Sequence, residues 1–207
     1  MSCCSENELS FRQVKIDVEA PEFNLPAYDP LIDDETVVSS WSLAWKWTVL
    51  FFYPADFTFV CPTELKDMAD ARDIFETIWV DVLAISTDTV YSHRAWVKHE
   101  RLMQNFPYKM LSDHNLETAF AYNVLDEQTW IAGRGTFVID PDGITRVIEV
   151  TSGPLGRNSE ELIRKIEALQ HMRTNPGIAC PAKWTKWQTT LAPSIKISGE
   201  VYEALNK

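Results

Sequence analysis

Short, continuous apolar runs in this chain alternate with stretches where apolar residues recur every three or four positions, and that alternation predicts strands followed by helices. Residues 47–53, WTVLFFY, are apolar or β-branched throughout, as a strand buried on both faces requires. Residues 63–78 place Leu65, Met68, Ala69, Ile74, Phe75 and Ile78 close to a helical period. A second buried strand is predicted over 81–87, DVLAIST, and a half-exposed helix over 91–103, where Trp96, Val97 and Leu102 sit among charges. Strand, helix, strand, helix implies a parallel α/β core joined by right-handed crossovers.

The pattern then changes. Residues 136–140 and 144–150 flank Pro141-Asp142-Gly143, in which Pro presets φ and Gly supplies a permissive position, so an antiparallel hairpin is predicted. Residues 158–173 open with Asn158 or Ser159 as cap and Glu160 and Glu161 in the first turn, and put Leu162, Ile163, Ile166 and Leu169 on one helical face. Beyond that, Pro176, Pro181 and Pro193 interrupt regular structure. The expected fold class is therefore α/β, a thioredoxin-like fold with a central mixed sheet flanked by helices. It divides into a domain over residues 1–175 and an extended C-terminal arm over 176–207. No internal repeat or low-complexity segment occurs.

Composition narrows the function. The 207 residues are 45% hydrophobic and 24% charged, enough for one sizeable core. No run reaches the roughly 20 apolar residues a bilayer crossing needs, and the start, MSCCSENELSF, lacks the features of a signal peptide, so a cytoplasmic protein is expected. A formal net charge of -11 disfavours nucleic acid and anionic membrane as partners. Four cysteines, at 3, 4, 61 and 180, are too few for a disulfide scaffold and match no zinc spacing. The histidines at 93, 99, 114 and 171 likewise lack metal spacing, and no metal site is expected. Seven glycines are few and eight tryptophans many, which speaks of packing rather than function.

Cys61 stands apart. It falls after the first buried strand and at the start of the following helix, beyond the carboxyl end of the strand, where reactive groups of α/β sheets gather. Unpaired N–H groups and aligned peptide dipoles at a helix start favour a thiolate, which is the nucleophilic form. Pro62 suits the first turn, where its missing N–H costs nothing. Thr58, three residues earlier, is spaced to aim its hydroxyl at the sulfur or at a substrate oxygen, and Pro54 caps the loop. Taken alone, Cys61 reads more readily as a small buried hydrophobe, as most cysteines in apolar sequence are. A dithiol oxidoreductase of the C-x-x-C type is disfavoured, because the third residue after Cys61 is Glu64.

The full string FFYPADFTFVCPTEL, with its P-x-x-x-T-x-x-C core, resembles the active-site signature of the peroxiredoxins, and specifically the typical two-cysteine, alkyl hydroperoxide reductase C branch. RGTFVIDPDG at 134–143 and ACPAKW at 179–184 are similar to two further segments of that family, so the resemblance spans about residues 14–193. It implies that Cys61 is the peroxidatic cysteine, that Thr58, Arg134 and Pro54 complete the peroxide pocket, that Glu64 orients the arginine, and that Cys180 resolves. It further implies peroxide substrates, no cofactor, a dithiol reductant such as thioredoxin or a dedicated flavoprotein, and an antiparallel homodimer with intersubunit disulfides, often in a ring of five dimers. Some members act instead as holdase chaperones or peroxide sensors, which is the alternative reading. In the family a tryptophan at the place of Trp96 lies near the active site.

Two departures stand out. In WSLAWKW, residues 41–47, Trp45 occupies a position where the family usually has glycine. Peroxide-sensitive members carry a Gly-Gly-Leu-Gly loop and a C-terminal Tyr-Phe pair over the active site; here residues 97–109 contain no glycine and Tyr202 is followed by Glu203. Resistance to overoxidation is the expectation, unless Trp184 and Trp187 in the tail take over the covering role. Cys3 and Cys4 are expected to be dispensable.

Overall fold

A computed structural model describes residues 13–206; Cys3 and Cys4 lie outside them. Among the described residues nine strands form in chain order: β1 (Asn24–Asp29), β2 (Asp34–Ser39), β3 (Trp47–Phe52), β4 (Val80–Ser86), β5 (Lys109–Ser112), β6 (Leu125–Asp126), β7 (Ile131–Ala132), β8 (Arg134–Ile139) and β9 (Thr145–Thr151). The helices are α1 (Cys61–Asp70), α2 (Arg72–Thr77), α3 (Val90–His99), α4 (Glu117–Ala121), α5 (Ser159–Thr174) and α6 (Val201–Leu205). Seven strands make one sheet in the order β2-β1-β5-β4-β3-β8-β9, and β6 pairs with β7 apart from it. The central β3, β4 and β5 run parallel and the flanking pairs antiparallel. This is the mixed, thioredoxin-like sheet expected.

β3 is wholly buried because both faces are covered. Val49 and Phe51 point to the side packed by Leu65 and Met68 of α1 and by Leu162 and Ile166 of α5. Leu50 and Phe52 point the other way, against Phe23, Ala119 and Phe137. The alternation follows directly from the two-residue period of a strand.

The helix predicted over 63–78 is two helices, starting at Cys61 and broken at Ala71 (φ -85, ψ 5), and the one predicted over 91–103 ends at His99. In α5 the Asn158 side chain accepts from the N–H groups of Glu160 and Glu161, which fixes the cap. Beyond α5 the chain is largely irregular. Trp184 is buried, stacks on His171 of α5 with ring centroids 4.8 Å apart, and donates from Nε1 to the Gln188 carbonyl. Trp187 and Tyr202 are exposed. Among the described residues no helix is long and apolar enough to cross a membrane.

Candidate active site

Cys61 is the first residue of α1, reached from the carboxyl end of β3 through residues 53–60. That loop is pinned from below. Tyr53 Oη donates to Asp56 Oδ1 at 2.8 Å, His93 Nδ1 lies 2.9 Å from Asp56 Oδ2, and the Asp56 N–H donates to Asp88 Oδ2 at 2.9 Å. Burial, with the Asp56 charge second, drives the Tyr53 phenol well above its ordinary range, so it stays a donor. Trp96 is both core and neighbour of the loop, its ring 5.9 Å from Tyr53 and 6.3 Å from Phe57.

Because β8 runs antiparallel to β3, its first residue emerges at the sheet end where β3 finishes. That residue is Arg134. Its Nη1 donates to Cys61 Sγ at 3.3 Å and to Glu64 Oε2 at 2.5 Å, and its Nε donates to the Gly153 carbonyl. The close packing there needs Gly135: a Cβ at that position would stand 2.7 Å from Val124 Cγ1.

Cys61, Glu64 and Arg134 are all buried. Thr58 is joined to the site by its loop rather than by a bond to the sulfur, for its hydroxyl donates to the Ala55 carbonyl at 2.8 Å. The oxygen lone pairs therefore remain able to accept a proton donor. Pro54, half-buried at the head of the loop, brings no N–H to the pocket.

One arginine of the site was not anticipated. Arg157, in the loop before α5, donates to Glu64 from Nε (2.8 Å), Nη2 (3.2 Å) and its backbone N–H (3.0 Å), and its Nη1 reaches the Gly135 carbonyl. Its guanidinium carbon sits 3.5 Å from the centre of the Phe51 ring. Burial pulls its pKa below the usual arginine range, and Glu64 opposes this only in part. Glu64 thus joins two buried guanidinium groups. Nothing periodic in GPLGRNSE signals this role; only the unusual placement of a charge just ahead of a helix cap hints at it.

Cys180 lies elsewhere, against α5, with its thiol 3.8 Å from the Ala168 carbonyl, and both it and Cys61 are free thiols. Burial pushes the Cys180 thiol up, against a weaker opposing pull from Arg164. In reduced Cys61→Ser protein, alkylation of Cys180 should accordingly stay slow at neutral pH and rise only above the range of a free thiol, about 8.5. Mass-spectrometric rates against pH check this, and a midpoint at or below that range would show that Arg164 outweighs burial.

The chain matches the AhpC/TSA family model over residues 16–148. It is 40% identical over 186 residues to alkyl hydroperoxide reductase C of Staphylococcus saprophyticus, covering 90% of this chain and 98% of that one, with the same figures for the Staphylococcus haemolyticus protein. Reduced Plasmodium vivax 2-Cys peroxiredoxin superposes with a TM-score of 0.86 at 32% identity over 90% of this chain and 98% of that one. Enterococcus faecalis AhpC does so at 0.77 and 36%, over 82% and 100%. With a free thiol at a helix start, a guanidinium on its sulfur, and likeness in sequence and structure along nine-tenths of its length, this chain belongs to the AhpC/TSA family, as a peroxiredoxin of the alkyl hydroperoxide reductase C type.

Proposed function

We propose that the protein reduces hydrogen peroxide and organic hydroperoxides, with Cys61 as the peroxidatic thiol and Cys180 as the resolving one. The observation that carries this reading is Arg134 Nη1 at 3.3 Å from the buried Cys61 sulfur. A cysteine serving only as a small hydrophobe has no use for a buried guanidinium, whose desolvation is costly.

The chemistry follows. The Cys61 thiolate attacks the terminal oxygen of ROOH; the S–O bond forms, the O–O bond breaks, and the departing RO⁻ takes up a proton. Arg134 faces the negative charge that moves across the two oxygens. The Thr58 oxygen, its own proton committed to Ala55, accepts from the peroxide O–H, and Pro54 shields the pocket. Cys61 is left as a sulfenic acid, which condenses with a Cys180 thiol to release water and form a disulfide. A dithiol protein, thioredoxin or a dedicated flavoprotein, then supplies two electrons and two protons.

Cys180 rests on α5 while Cys61 faces Arg134, and this supports a disulfide made between subunits by the arm over 176–207, hence a homodimer that can close into a ring of five. A cytoplasmic location, where thiols are kept reduced, suits this cycle. Oxidised protein should run as a covalent dimer on non-reducing gels, and Cys180→Ser should remove that band while one equivalent of peroxide is still consumed rapidly. A covalent dimer persisting in Cys180→Ser would overturn the assignment. Sustained turnover with a reductant separates an enzyme from a stoichiometric sensor.

The sulfenic acid can also meet a second peroxide and become sulfinic acid, and the faster step decides. Tyr202 and Trp187 are exposed and Trp184 is spent on α5, so none of the three supports a cover over Cys61. Intact-mass analysis during turnover should show little two-oxygen adduct on Cys61 until peroxide is in large excess; prompt accumulation at low peroxide would contradict it.

A further inference from the structure

Cys61 follows the carboxyl end of β3. At the opposite end of the sheet, between the chain leading into β3 and the β8–β9 turn, lies a groove of about 370 Å³, within the range of small-molecule sites. Trp41 and Trp45 line it and are 75% and 84% exposed; Phe23 and Tyr122 contribute buried surface. Glu19, Glu22, Asp140 and Asp142 also line the groove, and no lysine, arginine or histidine does. Asp140 and Asp142 are matched by Arg146 and Arg173, which do not line the groove, whereas Glu22 is exposed and has no cation within ion-pair distance among the described residues.

Trp45 is the second observation. It adopts φ +70, a left-handed conformation that glycine takes freely and a bulky side chain resists. Its N–H closes the groove by donating to the Pro141 carbonyl at 3.1 Å, a bond that any non-proline residue would make. The turn therefore does not call for tryptophan, and an indole left mostly in water adds little to the core. Trp79, Trp130 and Trp187 are exposed at positive φ as well, and what sets Trp45 apart from them is that it lines the groove, beside Trp41 and among carboxylates.

We propose that this groove binds a hydrophobic organic cation, with the ammonium group over the Trp41 and Trp45 faces, Glu22 as counter-charge, and the apolar body against Phe23 and Tyr122. Indole faces attract cations, and more strongly once water is excluded. The site is independent of the peroxide chemistry.

Calorimetric titration with benzyltrimethylammonium should give saturable one-site binding, with benzoate, a similar ring of opposite charge, at least about tenfold weaker. Trp45→Gly relieves the backbone, so it should melt no lower than the parent and keep its peroxidase activity, yet bind the cation at least about tenfold more weakly. Trp41→Ala should weaken binding likewise, and Glu22→Gln should narrow the gap between cation and carboxylate. Since Trp45→Gly leaves net charge unchanged, a general attraction of this acidic protein for cations would survive it. Unaltered affinity in Trp45→Gly, equal binding of benzoate, or no saturable binding at millimolar concentrations would each overturn the proposal.

Discussion

Cys61→Ser should lower peroxide turnover by at least about 10⁴-fold, because a serine oxygen is a far weaker nucleophile toward peroxide than a cysteine sulfur and no other side chain at Arg134 offers one. The fold should survive. Serine is close in volume to cysteine, and its oxygen can accept the Arg134 hydrogen bond that the sulfur now accepts. The two readouts belong together: a variant that melts like the parent and consumes no peroxide places the defect in chemistry. Steady-state peroxide consumption with a thioredoxin system, alongside a thermal melt, provides the check. Residual activity above about one per cent of the parent would mean that a second thiol, Cys180 first among them, reacts with peroxide directly.

How much of this was readable beforehand depends on where each signal lies in the chain. β3 and β4 were evident because burial on both faces turns a strand into an unbroken apolar run. α5 was evident because its cap and its apolar face lie within 16 residues. β1 was not predicted: NLPAYD contains Pro26, which cannot donate to a ladder, and the strand owes its place to partners β2 and β5. β5 has four residues, too few to show a period. The break at Ala71 carries no glycine or proline to announce it.

The candidate site divides the same way. Cys61 beside a strand end and a helix start is a local pattern, but its contact with Arg134 spans 73 positions and that of Glu64 with Arg157 spans 93. The first became legible only through the family motif. The second has no sequence pattern at all, since it arises where β8, the loop before α5 and the first turn of α1 converge.

That convergence makes Glu64 the residue whose loss should cost the fold most. Its carboxylate is buried and receives Arg134 and Arg157 together, four hydrogen bonds in all. Replacement by leucine would leave two buried guanidinium groups facing each other with no anion between them. Removing one partner of a buried pair costs about 3–5 kcal/mol, which for a chain of this size lowers Tm by about 6–20 °C. Glu64→Gln should be milder, because the amide keeps an acceptor oxygen and the shape while losing the charge. It should still reduce kcat/KM by about 10–10²-fold, since Arg134 uses the same Nη1 for Glu64 and for the Cys61 sulfur, and small errors in placement are expensive.

Arg157→Met distinguishes anchoring from simple packing. It removes the extra cation, leaves Glu64 paired with Arg134, and fills the space over Phe51, so it should cost less stability than Glu64→Leu and less activity than Glu64→Gln. Thermal melts and kcat/KM for the three variants test the ordering. If Glu64→Leu melted within a degree or two of the parent, the two arginines would have found another anion, and the role assigned to Glu64 in holding Arg134 on the sulfur would be wrong.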